Sequence, residues 1–196
     1  MASPYATTGI SDGFVVSTDG YVQGLFLPDP ANRYNLEGGY VASTQTQPLW
    51  GGLAVTLAVP AVGENAQGPA LVAAASLAGI NGWTLFDQSS AGPISATSNV
   101  PLYSAGMSLN FARPGSDLRI CVAVESVSIL DSLIGAAPNV DLYWDPVNLC
   151  ITTTSTSNYG PLPVQLEALS VTSKTVSYSS PNANWNYAGA AAIIRI

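Results

Sequence analysis

Apolar and polar residues alternate with a period of two along much of the chain. Leu53, Val55, Leu57 and Val59 alternate with Ala54, Thr56 and Ala58. Met107, Leu109 and Phe111 alternate with Ser108 and Asn110, and Leu118, Ile120, Val122 and Val124 with Arg119, Cys121 and Ala123. Val140, Leu142 and Trp144 alternate with Asp141 and Tyr143. Further stretches follow at Leu149 to Thr153, Leu162 to Val171, Val176 to Tyr178 and Ala191 to Ile196. Runs of this length, rich in Val, Ile, Thr and aromatics, predict half-buried antiparallel strands.

The punctuation agrees with strands. Asp12-Gly13, Asp19-Gly20 and Asn81-Gly82 are tight-turn pairs. Asp145-Pro146-Val147-Asn148 predicts a type I turn joining strand 140–144 to strand 149–153. Helix formers are scarce, and only Ala70 to Leu77 and Glu125 to Leu133 fit short helices; the second fits a strand equally well. The fold class is therefore all-β, an antiparallel barrel or sandwich with little helix. Residues 1–45 differ in character. Short apolar pieces there are broken by Asp29-Pro30 and Gly38-Gly39. They predict an extended N-terminal arm with short hairpins, ahead of a single β-rich body at 46–196. The arm carries Tyr5, Phe14, Tyr21, Leu25, Phe26, Leu27, Tyr34 and Tyr40, an apolar load that must pack on the body or on a neighbour. Its pliancy favours a neighbour.

Composition narrows function more than fold. Of 196 residues, 9% are charged, against roughly 25% in an average soluble domain. There is no histidine, which removes Ser-His-Asp and Cys-His nucleophile activation and His-bound metals. The five basic residues, Arg33, Arg113, Arg119, Lys174 and Arg195, are scattered, and the net charge is −7. Neither nucleic acid nor an anionic membrane is an expected partner. Met1 to Tyr5 lacks the basic and apolar regions of a signal peptide, and the apolar run Pro69 to Ile80 is too short to span a bilayer. Cys121 and Cys150 read as small apolar side chains in strands, on the face opposite the large aliphatics, ahead of a disulfide.

Chemistry without histidine would rest on paired carboxylates, as in glycosidases. Asp141 and Asp145 are the nearest pair, with Asp131, Glu125 and Glu167 behind them. The structural alternative is stronger: Asp145 caps a turn and Asp141 lies on a polar strand face. No hydrolytic activity is expected to depend on either. Tyr34, Tyr40, Trp50, Tyr159, Trp185 and Tyr187 could stack on sugars, but core or interface use is favoured. Gly51-Gly52 lacks the lysine of a phosphate loop. A strand-rich protein usually guards sheet edges with lysine, and this chain has one. Much of its surface is therefore expected to be covered by neighbours in an assembly.

Four stretches carry a resemblance: Gln47-Pro48-Leu49-Trp50-Gly51-Gly52-Leu53-Ala54-Val55; Ala105 to Phe111 leading to Pro114-Gly115-Ser116-Asp117-Leu118-Arg119-Ile120; Val140 to Asp145; and Asn182 to Ile194, preceded by Leu169 to Tyr178. Together they resemble structural proteins of tailed bacteriophages, in particular head decoration (cement) proteins. The resemblance implies a non-enzymatic protein that binds the outside of a capsid and staples major capsid subunits, with no catalytic residue, metal or cofactor. It implies the major capsid protein and copies of itself as partners, a trimer before a dimer, and residence on the virion surface after assembly in the host cytoplasm. Tyr21, Phe26, Tyr34, Tyr40, Trp50, Trp185 and Tyr187 are the candidate interface residues. The rival readings are a virion receptor-binding or carbohydrate-binding module and, behind it, a glycan depolymerase.

Overall fold

The computed structural model describes residues 20–26, 35–60, 68–76, 79–86, 98–155 and 160–196. Five strands close into a barrel: β1 (Leu36–Val41), β2 (Ala54–Ala58), β3 (Ala70–Ala73), β4 (Gly82–Leu85) and β5 (Ser108–Ala112). Around the barrel the order is β1-β3-β2-β4-β5. The β1–β3 pair is parallel and the others are antiparallel. A second sheet holds β6 (Arg119–Ala123) and the long strands β9 (Gln165–Ser179) and β10 (Asn182–Arg195), in the order β6-β10-β9. Between β6 and β9 lie one short helix, α1 (Val127–Leu133), and a hairpin of β7 (Tyr143–Asp145) and β8 (Cys150–Thr152). The all-β class is as the alternation predicts.

The apolar phase sets which side chains meet. Ile120 and Val122 of β6 join the main core, while Cys121 between them faces a small cluster with Ala191 and Ile193. One continuous core runs from the barrel residues Val55, Leu71, Trp83 and Phe111 to Ile120, Trp144, Ile151 and Ile194. The barrel and the second sheet therefore bury one core between them. Aromatic pairs mark the seam: Trp83 meets Trp144 edge-on at 5.4 Å, Phe86 meets Trp185 at 5.8 Å, and Trp50 lies against Tyr178 at 5.2 Å.

Three expectations are corrected. Ala70 to Leu77 fits a short helix by sequence, but Ala70–Ala73 is β3, held on both sides by β1 and β2. Closing a barrel supplies two ladders at once, and that outweighs the helix preference of alanine. Asn81-Gly82 is not a hairpin turn, because Gly82 already opens β4. The third correction concerns the arm. Leu36–Val41 is a barrel strand, paired with β5 from Leu36↔Ala112 to Tyr40↔Ser108.

Residues 20–26 are also built into the body. The Gln23 N–H donates to the Lys174 carbonyl at 2.9 Å, and the Lys174 N–H donates to the Tyr21 carbonyl at 2.7 Å. The Gly24 N–H donates to the Cys121 carbonyl, and the Phe86 N–H to the Gly24 carbonyl, both at 2.8 Å. This short segment thus ties β9, β6 and the end of β4 together. Residues 1–19 and 27–34, the rest of the predicted arm apart from Asn35 and the turn after β1, lie outside the described residues.

Candidate functional site

The carboxylates that the sequence singled out are spread over several neighbourhoods, with Asp145 and Glu125 both near Cys150. Asp145 closes the β7–β8 turn. Its Oδ1 accepts from the Val147 N–H at 2.8 Å and the Asn148 N–H at 3.1 Å, and its Oδ2 accepts from Asn148 Nδ2 at 2.6 Å. Partial burial opposes ionisation of this carboxyl, but the three donors outweigh it and hold the group below its ordinary range. Such a carboxylate is poorly suited to proton transfer near neutrality. Asp141 is exposed and lines a different groove, with Asp117 and Arg195. Glu167 lies between Arg195 at 2.7 Å and Arg119 at 3.2 Å. Those two arginines sit directly opposite each other on β10 and β6, so Glu167 relieves a repulsion the register creates. Asp131 lies on the exposed side of α1.

The cations are committed too. Arg113 donates to Glu37 at 2.6 Å, and Arg119 and Arg195 share Glu167. Lys174 is fully buried, and its Nζ lies 4.5 Å from the centre of the Trp185 ring and 5.4 Å from that of Tyr187. Ring faces stabilise an ammonium there through their quadrupoles. Arg33 lies outside the described residues.

Tyr40, Trp50 and Trp185 are buried, at 7%, 2% and 5% exposure, so of the core and interface uses favoured from sequence they serve the core. Tyr21 and Phe26 are half-buried against their own chain, through β9 and Ile120 respectively. Burial, and to a lesser degree the nearby Cys121, holds the Tyr21 phenol above its usual range. Tyr187 stays exposed at 46%. Tyr34 and Tyr159 lie outside the described residues.

A groove of about 650 Å³ opens where the β9–β10 ribbon meets the end of β6 and the turn after Asp145. Trp50 and Tyr178 are among its lining, with Gln47, Glu125, Asn148, Ser177 and Asn186 around them. The ribbon is irregular here. The register shifts between Asn186↔Thr175 and Gly189↔Ser173, so β10 carries one residue more than β9. Gly189 permits it, because a Cβ there would collide with the Thr175 side chain. Sequence reasoning missed this groove, since its lining comes from five separate stretches and only Trp50 and Tyr178 carry an aromatic signal.

Cys121 and Cys150 are both free thiols and both buried. Burial pushes Cys121 well above its usual value. Cys150 is pushed up to about 12, by burial first and by the charges of Asp145 and Glu125 second. Both thiols should resist aromatic disulfide reagents in the native protein and react after unfolding. The pH dependence follows. Below the ordinary thiol value of 9.0 both states are protonated and nothing changes. Above it only the unfolded chain ionises, so stability should fall between pH 9 and about 12, by up to roughly 1.4 kcal/mol per pH unit per thiol. Urea melts from pH 7 to 10.5, compared with a Cys121→Ala, Cys150→Ala chain, check this; a wild-type curve no steeper than the double variant's would contradict it.

No family model, no curated protein and no solved structure matches the chain.

Proposed function

We propose that the chain is a non-enzymatic virion structural protein that decorates and stabilises the outside of a bacteriophage capsid. The sequence resemblance motivates the reading, and one observation carries it: every described cation is engaged within the chain, by Glu37, by Glu167 or by an aromatic cage. A partner surface must then be met by apolar and hydrogen-bonded contacts. Beyond the stretch that residues 20–23 cover, β9 lies at the edge of its sheet and carries no charge from Ala168 to Val171, with Val171 42% exposed. An uncharged strand edge of this kind is what a permanently covered strand tolerates. The partners in this reading are the major capsid protein and further copies of the chain. Stabilisation follows from mass action, through binding the assembled shell in preference to its free subunits.

The experiment is titration of purified chain onto capsids that lack it. Attachment should raise the capsid melting temperature. It should persist as sodium chloride rises from about 0.15 to 1 M, over which the screening length shrinks from about 8 to 3 Å. No attachment, or full release within that range, would overturn the reading.

A further inference from the structure

We infer that the groove beside the β9–β10 ribbon binds a neutral oligosaccharide. The inference is independent of capsid attachment. Its volume, about 650 Å³, lies within the roughly 300–1,000 Å³ of small-molecule sites. The chemistry of its wall is that of hydroxyl recognition. Asn148 donates through Nδ2 to Asp145, which fixes the amide and leaves its Oδ1 as an acceptor. Asn186 accepts the Ala188 N–H through Oδ1 at 3.0 Å, which leaves its Nδ2 as a donor. Both amides are therefore held in one orientation before any ligand arrives, which lowers the entropic cost of binding. Glu125 is exposed at the rim, and a carboxylate accepts from two sugar hydroxyls at once. Tyr178 offers a ring for the apolar face of a pyranose, backed by Trp50 at 5.2 Å. The indole N–H of Trp50 has no partner among the described residues.

The same chemistry continues along the ribbon. Asn182, Asn184 and Asn186 of β10 lie opposite Ser179, Ser177 and Thr175 of β9. Each rung pairs an amide with a hydroxyl, and rungs repeat about every 6.8 Å. This ladder runs out from the groove and suits an extended glycan better than a compact ligand. Charge sets the class. Among the described residues Glu125 is the one charged residue in the lining, so sialylated or sulfated glycans meet repulsion there.

The test is saturation-transfer NMR on the full chain. Cellotriose, maltotriose and triacetylchitotriose are the neutral probes, and sialyllactose is the anionic one. At least one neutral trisaccharide should bind at millimolar concentration, and sialyllactose should bind more weakly. Asn186→Ala and Glu125→Gln change exposed side chains, so melting should be unaltered while each weakens binding about 5–10-fold. Three outcomes would each overturn the inference: no transfer to any neutral probe, equal binding of sialyllactose, or affinity unchanged in both variants. Because the isolated chain is used, failure here leaves capsid attachment untouched, and the reverse also holds.

Discussion

A chain consisting of residues 46–196 alone is expected not to fold. The deletion removes β1, which bonds to β5 on one side and to β3 on the other. The closed barrel becomes an open sheet with two new edges, and such edges invite aggregation. The deletion also removes Val22 and Val41, both fully buried, together with Tyr40 at 7% exposure and the half-buried Leu25, Phe26 and Leu36. Four fully buried side-chain equivalents contribute about 6–12 kcal/mol at roughly 1.5–3 each. The whole stability of a domain is about 5–15 kcal/mol. The loss is therefore comparable with everything that holds the body together. Expression of 46–196, followed by a melting curve and a proton NMR spectrum, checks this. A soluble fragment with dispersed resonances and a cooperative melt would mean that the barrel closes without β1. That outcome would restore the arm expected from sequence, with 1–45 free to engage a neighbour.

The error over the arm shows what the sequence conveys and what it hides. β2, β5 and β6 were legible because each puts Val, Leu, Ile or Phe at alternate positions, and an independent sheet face enforces that pattern. The β7–β8 turn was legible because Asp145 and Pro146 act within four residues of each other. β1 was not, because Leu36–Val41 reads LEGGYV, and its glycines look like breaks. At Gly39 the glycine is a packing requirement: a Cβ would press on the Pro69 carbonyl at 2.9 Å and on Leu71. The first half of β10 was hidden likewise, because Asn, Gly and Ala are poor strand formers and distant partners, β9 on one side and Ser98 and Asn99 on the other, make it extended.

The candidate site was less legible than the fold. Trp50 and Trp185 sit among Gly, Asn and Ala, which reads as exposure. Their covers, Tyr178 for Trp50 and Phe86 for Trp185, are distant in sequence. Lys174 is the one lysine, a residue type that usually guards sheet edges, and it is fully buried. The turn reading of Asp145, favoured over a pairing with Asp141, was legible for the opposite reason. Closeness in sequence suggested a shared site, while the turn consumed one carboxylate locally.

Replacing Gly24 with alanine is expected to cost about 2–5 kcal/mol. Two terms add. Gly24 has φ +81°, a left-handed conformation that disfavours side chains by roughly 1–2 kcal/mol. Its added Cβ would also meet the Gly51 Cα at 2.5 Å, the Gly51 carbonyl carbon at 2.6 Å and Phe86 Cδ2 at 2.6 Å. Two of those three atoms are backbone, so relief requires moving the 20–26 segment or the Trp50–Leu53 turn, and overpacking of this kind costs about 1–3 kcal/mol. The segment cannot shift freely, because Gly24 itself bonds to Cys121 and Phe86. This crossing accounts for Gly51-Gly52, which the sequence presents without an evident purpose. Gly106 provides the control. It has φ +83°, and a Cβ there would meet nothing within 4 Å. Gly106→Ala should therefore lose only the conformational part, about 1–2 kcal/mol. Urea denaturation of both variants gives the difference between them, which measures the packing at the crossing directly. Equal losses would mean that residues 20–26 do not press on the Trp50–Leu53 turn, and that they brace the two sheets far less than their hydrogen bonds indicate.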